Sequence, residues 1–158
     1  MIYVEAPEVC ASFVVEKHPA IYLAGGISDC PGWQFEVARM LGETEYTVLN
    51  PCRVDFPMDD PHAAEQQIVW EYRHLRLADA ILFWFPCETL CPITLYELGQ
   101  WSATQKPLFV GVHPDYKRRR DVEIQMGLSR PNVEIVYSLR ALADQVIAAF
   151  ELVRGGWK

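Results

Sequence analysis

The sequence predicts a three-layer α/β fold, a five-stranded parallel sheet with helices on both faces. Two observations carry this. From Ala20 onward, short apolar runs alternate with stretches of helical length, and Gly, Pro or Asn marks many of the joints. Ala80 to Phe85 is apolar at every position, the pattern of a strand buried on both faces. Strands alternating with helices in this way build a parallel sheet. Five of them fit the flavodoxin-like, Rossmann-like order 2-1-3-4-5, whose cleft opens at the carboxyl ends of strands one and three. A chain of 158 residues is most simply one domain, 1–158, with residues 1–19 as an N-terminal β extension.

Taken in order, Ile2-Tyr3-Val4 and Ser12-Phe13-Val14-Val15 favour β structure, as a hairpin or as a strand added to an edge. Ala20 to Ala24 is the first regular strand, closed by Gly25-Gly26. A helix follows from near Pro31, with Trp33, Val37, Met40 and Leu41 at helical spacing, and ends at Gly42. Tyr46 to Leu49 is the second strand, and Asn50-Pro51 stops it. Cys52 to Pro61 is a long loop, His62 to Leu77 a helix, and Ala80 to Phe85 the third strand. Pro86 ends that strand, Cys87 to Cys91 is a loop, and Pro92 suits the first turn of the next helix. Leu108 to Val112 is the fourth strand, Arg118 to Leu128 a polar helix, Val133 to Tyr137 the fifth strand, and Leu139 to Val153 a final amphipathic helix.

Composition narrows the function. A net charge of −7 argues against nucleic acid as the main partner, and Lys117 to Arg120 reads as a solvated face rather than a phosphate patch. The five cysteines have no disulfide spacing, and the four histidines fall in no ligand pattern, so neither a disulfide framework nor a metal site is expected. No apolar run nears the roughly 20 residues that span a bilayer, and no signal peptide is visible, so a cytoplasmic protein without a membrane partner is expected. G-x-G-x-x-G, G-K-[ST] and G-x-S-x-G are all missing, and no cofactor is implied.

Carboxylates and aromatics remain. Glu97 follows Pro92 in a largely apolar helix, just past the edge of a central strand, where open α/β sheets bind ligands. Glu71 lies in the preceding helix and Glu88 in the intervening loop, and Trp33, Trp70, Phe83, Trp84, Phe85, Tyr96 and Trp101 crowd the same region. Aromatic walls with a few carboxylates suit a flat, uncharged heterocycle joined to a sugar. A carboxylate can also attack a glycosidic carbon. Any one of these glutamates alone is more often a surface helix residue; their joint occurrence shifts the balance. Gly25-Gly26 allows either close approach of a ligand or a tight turn.

Ile21-Tyr22-Leu23-Ala24-Gly25-Gly26-Ile27, Trp33, Asn50-Pro51 with Arg53, Ala78 to Trp84, and Thr94-Leu95-Tyr96-Glu97-Leu98-Gly99 followed by Lys106-Pro107 together resemble the nucleoside 2-deoxyribosyltransferase family, in its nucleoside 2-deoxyribosyltransferase-like branch. The resemblance covers about Ala20 to Val136. It implies transfer of 2-deoxyribose between nucleobases through a covalent glutamyl intermediate, with a 2′-deoxynucleoside and a free nucleobase as partners. Glu97 matches the nucleophile, Tyr22 the tyrosine that orients it, and Glu71 the acid that handles the proton of the base. Gly25 and Gly26 match the small residues of the sugar pocket; Trp33, Asn50, Glu88, Cys91 and Thr94 complete the expected substrate-binding set. The resemblance also implies a homo-oligomer in which a neighbour completes each pocket, with the Asp121 to Gln125 region or Trp157 reaching across.

One position departs from the pattern. Cys91 stands where the family carries an aspartate that binds the sugar hydroxyl, and a thiol does not replace two carboxylate acceptors. Glu88 or Thr94 could take over that contact. Two alternatives stay open: an N-glycosidase acting on nucleosides or their 5′-monophosphates, and a non-catalytic nucleoside-binding module. The loop Gly25 to Asp29 holds an Asp and no Arg, which favours a free nucleoside over a monophosphate.

Overall fold

The structure, a computed structural model, describes residues 1–11 and 17–155. Its strands are β1 (Ile2–Glu5), β2 (Ala20–Gly25), β3 (Thr47–Asn50), β4 (Ala80–Phe85), β5 (Leu108–Val112) and β6 (Ile135–Val136). Its helices are α1 (Trp33–Met40), α2 (Ala63–Leu77), α3 (Pro92–Ser102), α4 (Arg119–Ser129) and α5 (Leu139–Gly155). All neighbouring strands pair in parallel, in the order β1-β3-β2-β4-β5-β6.

The expected five strands thus become six. β1 joins the free edge of β3, running from Ile2 opposite Thr47 to Glu5 opposite Asn50. An open edge leaves backbone groups unpaired; here Ile2 N–H donates to the Tyr46 carbonyl at 2.8 Å and Ala6 N–H to the Asn50 carbonyl at 3.0 Å. Of the two N-terminal alternatives, Ile2–Glu5 takes the edge position, while the expected strand at 12–15 lies outside the described residues. The other five strands keep the predicted order. β6 is shorter than expected, because Tyr137 turns outward to donate its hydroxyl to Glu123 and Ser138 begins the turn into α5.

Alternation along the strands sorts the core into two halves. Tyr22, Ile81, Phe83 and Phe85 face one way, under Trp70 and Leu75 of α2, Leu98 and Trp101 of α3, and Val122 and Met126 of α4. Ile21, Leu23, Leu82 and Trp84 face the other, against α1 and α5. This alternation places Tyr22 on the same side as Glu71 and Glu97.

The amino-terminal edge of the sheet is held by side chains that meet backbone groups. Lys106 Nζ donates to the carbonyls of Leu75 at 2.8 Å and Arg76 at 3.0 Å, and also to that of Ala78. These are carbonyls at the end of α2 that have no partner within the helix, and a cation there also suits the helix dipole. Asp79 accepts from Ala20 N–H at 2.7 Å, and Arg130 Nη1 donates to the Thr104 carbonyl at 2.7 Å.

Candidate active site

The carboxyl-terminal edge holds a cleft of about 240 Å³, somewhat below the usual range for small-molecule sites. Its wall after β2 is Ala24, Gly25, Gly26, Ile27 and Ser28; its wall after β4 is Thr89, Cys91, Pro92, Ile93 and Thr94; and Tyr22, Pro51, Glu71 and Glu97 complete it. β2 and β4 are neighbours. Their outgoing chains diverge to opposite faces of the sheet, toward α1 and α3, and the space between them is the switch-point crevice.

Helical spacing aims the acids. On α2, Gln67 and Glu71 lie four residues apart and reach the cleft side, while Trp70 and His74 turn to the N-terminal segment. The Trp70 indole donates to the Glu8 carbonyl at 2.6 Å. His74 Nε2 accepts from Cys10 N–H at 3.1 Å, so Nδ1, 2.8 Å from the Trp70 carbonyl, carries the proton. Burial lowers the His74 pKa, in keeping with this neutral tautomer. On α3, Thr94, Leu98 and Trp101 are buried, and Glu97 sits at the margin of that stripe, partly buried, facing the cleft.

Electrostatics bind the three central groups together. Burial, and then the charge of Glu71, push Glu97 up to about 7. Glu71 is also raised by burial, an effect opposed by a 2.8 Å hydrogen bond from Gln67 Nε2. Tyr22 is 1% exposed, and burial followed by the Glu71 and Glu97 charges raises its pKa well above the ordinary value. Two acids of this kind close together cannot both ionise easily, so at neutral pH the pair tends to hold one proton. No hydrogen bond from another described residue occupies the Tyr22 hydroxyl.

The walls are set by close approach. A β-carbon on Gly25 would lie 2.3 Å from the Trp33 ring and 2.6 Å from the Trp84 carbonyl. One on Gly26 would meet Thr89 at 2.7 Å, Cys91 Sγ at 3.0 Å and Cys30 Sγ at 3.2 Å. Only glycine fits at position 25, whereas at position 26 the Thr89 and Cys91 side chains would have to shift. Cys91 caps α3 with φ 48°, a left-handed conformation unfavourable for most side chains, and its thiol reaches toward the Thr89 carbonyl at 3.6 Å. Burial first, then the neighbouring Cys30, push that thiol up to about 11. It is therefore a neutral, weak donor at this wall.

Of the expected site residues, Tyr22, Gly25, Gly26, Glu71, Cys91, Thr94 and Glu97 all line the cleft. Three others lie elsewhere. Trp33 is buried beneath the glycine loop, its indole donating to the Gly26 carbonyl at 2.9 Å. Asn50 is fully buried, donating to Tyr3 Oη at 2.6 Å and accepting from Cys52 N–H at 3.0 Å. Glu88 is exposed and outside the lining. Sequence reasoning missed Pro51, Thr89, Ile93 and above all Gln67, whose only signal is its position one helical turn before Glu71.

Among the described residues, no three His, Cys, Asp or Glu side chains group so as to hold a metal ion. Among the described residues, the lining contains two carboxylates and no Lys, Arg or His. That balance suits an uncharged ligand better than a phosphate.

An acid pair with a buried tyrosine, set at the switch point of a parallel sheet, defines a class of small-molecule sites suited to acid–base or nucleophilic chemistry on a neutral substrate. The family described as nucleoside 2-deoxyribosyltransferase like matches residues 18–116, from just before β2 to just before α4. The match takes in well over half of the chain and every cleft residue, and the protein belongs to that family. No curated protein sequence matches the chain. No helix among the described residues is long and apolar enough to cross a membrane.

Proposed function

We propose that the protein transfers 2-deoxyribose between nucleobases by double displacement. A Glu97 carboxylate oxygen attacks C1′ of a 2′-deoxynucleoside. The C1′–N bond breaks, its electron pair leaves with the base, and Glu71 supplies the proton that neutralises it. The resulting glutamyl–deoxyribosyl ester is then attacked at C1′ by a nitrogen of a second base. That base's proton returns to Glu71, and Glu97 leaves as a carboxylate. Two inversions give net retention. The Tyr22 hydroxyl orients Glu97. The observation that carries this reading is the convergence of Glu97, Glu71 and Tyr22 on one cleft with the two acids coupled.

The reading extends to a homo-oligomer working in nucleoside salvage in the cytoplasm. Ile93 and Tyr96, 65% and 71% exposed on α3 beside the cleft, support a neighbour packing there. The free cysteines support a reducing compartment.

The test is incubation with 2′-deoxyinosine, with and without adenine, followed by chromatography. Deoxyadenosine formed only with adenine is expected. Free hypoxanthine and deoxyribose at the same rate in both tubes would replace transfer with hydrolysis. Binding without any product would reduce the site to a nucleoside-binding module. A productive pair holds one proton, so kcat/KM should be bell-shaped in pH, falling in acid when both acids are neutral and again above about pH 7. A plateau extending to high pH would remove Glu71 as proton donor.

A further inference from the structure

Gln67 is the one polar side chain of α2 that ties the acid pair to the surrounding fold. Its Nε2 donates to Glu71 Oε1 at 2.8 Å and to the Pro51 carbonyl at 2.7 Å, so both amide hydrogens are committed. The amide cannot be turned over, because its oxygen would then face a carboxylate and a carbonyl. Its own Oε1 is buried without a partner among the described residues. An unpaired buried acceptor costs free energy, so the side chain is a poor choice for stability alone. Pro51 lines the cleft, so the two bonds connect the loop after β3 to the acid across it.

We propose that Gln67 is the positioning residue of the site: its amide locks one oxygen of Glu71 and leaves the other free to meet the nucleobase. The proposal rests on the reading of Glu71 as proton carrier. The groups facing Glu71 are Gln67, Glu97 and Tyr22. Of these only Gln67 donates to it, and that donation favours the ionised form against burial. Gln67 thereby sets the pH at which the pair loses its first proton. The last proton, lost near pH 7, belongs to the coupled pair, and base exchange needs it on Glu71 with Glu97 ionised.

The experiment is a carboxyl-carbon NMR titration of Glu71 in the ligand-free protein, for the wild type, Gln67→Leu and Gln67→Met, alongside kcat, KM and their pH profiles. In both variants Glu71 should titrate at higher pH. kcat should fall about tenfold or more while KM stays within about threefold. The acid limb of the bell should move up. In the wild type the Gln67 side-chain amide resonances should follow the Glu71 titration, a readout that needs no variant to fold. An unmoved Glu71 titration in a folded variant, or amide resonances that ignore Glu71, would overturn the proposal. Absence of base exchange in the wild type would instead overturn the functional reading, with the titrations still deciding the Gln67 contact.

Discussion

The two ends of the sheet are built on opposite terms. At the amino-terminal edge, most polar groups are satisfied by backbone: Lys106 meets three carbonyls, Asp79 accepts the first N–H of β2, and Arg130 closes on Thr104, while the buried Thr47 Oγ1 has no partner among the described residues. At the carboxyl-terminal edge, polar groups are left wanting. Glu97 and Glu71 are both raised by burial, neither the Tyr22 hydroxyl nor Gln67 Oε1 has a hydrogen-bond partner among the described residues, and Cys91 holds a left-handed backbone. Local conflicts of this kind persist where a function needs them and are offset elsewhere in the fold. The contrast implies that one end can be altered at the cost of stability, the other at the cost of activity.

Glu97→Ala gives the largest expected effect. Base exchange should fall at least about a thousandfold, because the substitution removes the carboxylate assigned as nucleophile. The melting temperature should hold or rise, and a rate within tenfold of the wild type would end the nucleophile assignment. Tyr22→Phe comes next, with kcat lower by about ten- to a hundredfold, read by steady-state kinetics. Its stability should be nearly unchanged, since the hydroxyl has no partner to lose; an unchanged rate would leave Tyr22 as core only.

Lys106→Met reverses the pattern. Removing a cation that serves three carbonyls should cost about 2 kcal/mol in denaturant unfolding, with kcat of the folded fraction unaltered. A loss of activity at full stability would break the division between the two ends.

The smallest effect is also the most specific. Glu97 has its folded pKa at about 7, above the ordinary carboxylate value. Ionising it therefore costs stability, absent below the unfolded pKa, growing as pH rises, and complete above the folded one. Glu97→Gln should match the wild type near pH 4 and exceed it by about 1–2 kcal/mol at pH 8. Equal stability at both pH values would mean that the acid is not held neutral by the fold.

The five regular strands were legible because each is a short apolar run with a clear stop, and β4, buried throughout, was legible to the residue. The pairing of β1 was not, because four residues at an edge carry no pattern that distinguishes a parallel addition from a hairpin. Glu97 and Glu71 stood out as carboxylates around the switch point, Tyr22 and the three roles came from a resemblance, and their position in one cleft follows from strand alternation and helical spacing. Trp33 and Asn50 were placed in the substrate set because polar and aromatic side chains near a cleft look alike in sequence. In the fold their polar atoms are spent on Gly26, Tyr3 and Cys52, holding the walls rather than facing the ligand. Gln67 escaped notice because an amide on a helix has no signature until its partners are known.

The contact at Gly26 has a consequence for how such a cleft can be retuned. Thr89, Cys91 and Cys30 all converge on the space that its missing β-carbon leaves empty. The two walls therefore meet like jaws closed on nothing, and a single methyl group would act as a shim between them. Gape, and with it the size of ligand admitted, can thus be adjusted from the hinge of the jaws, without exchanging a single reactive atom.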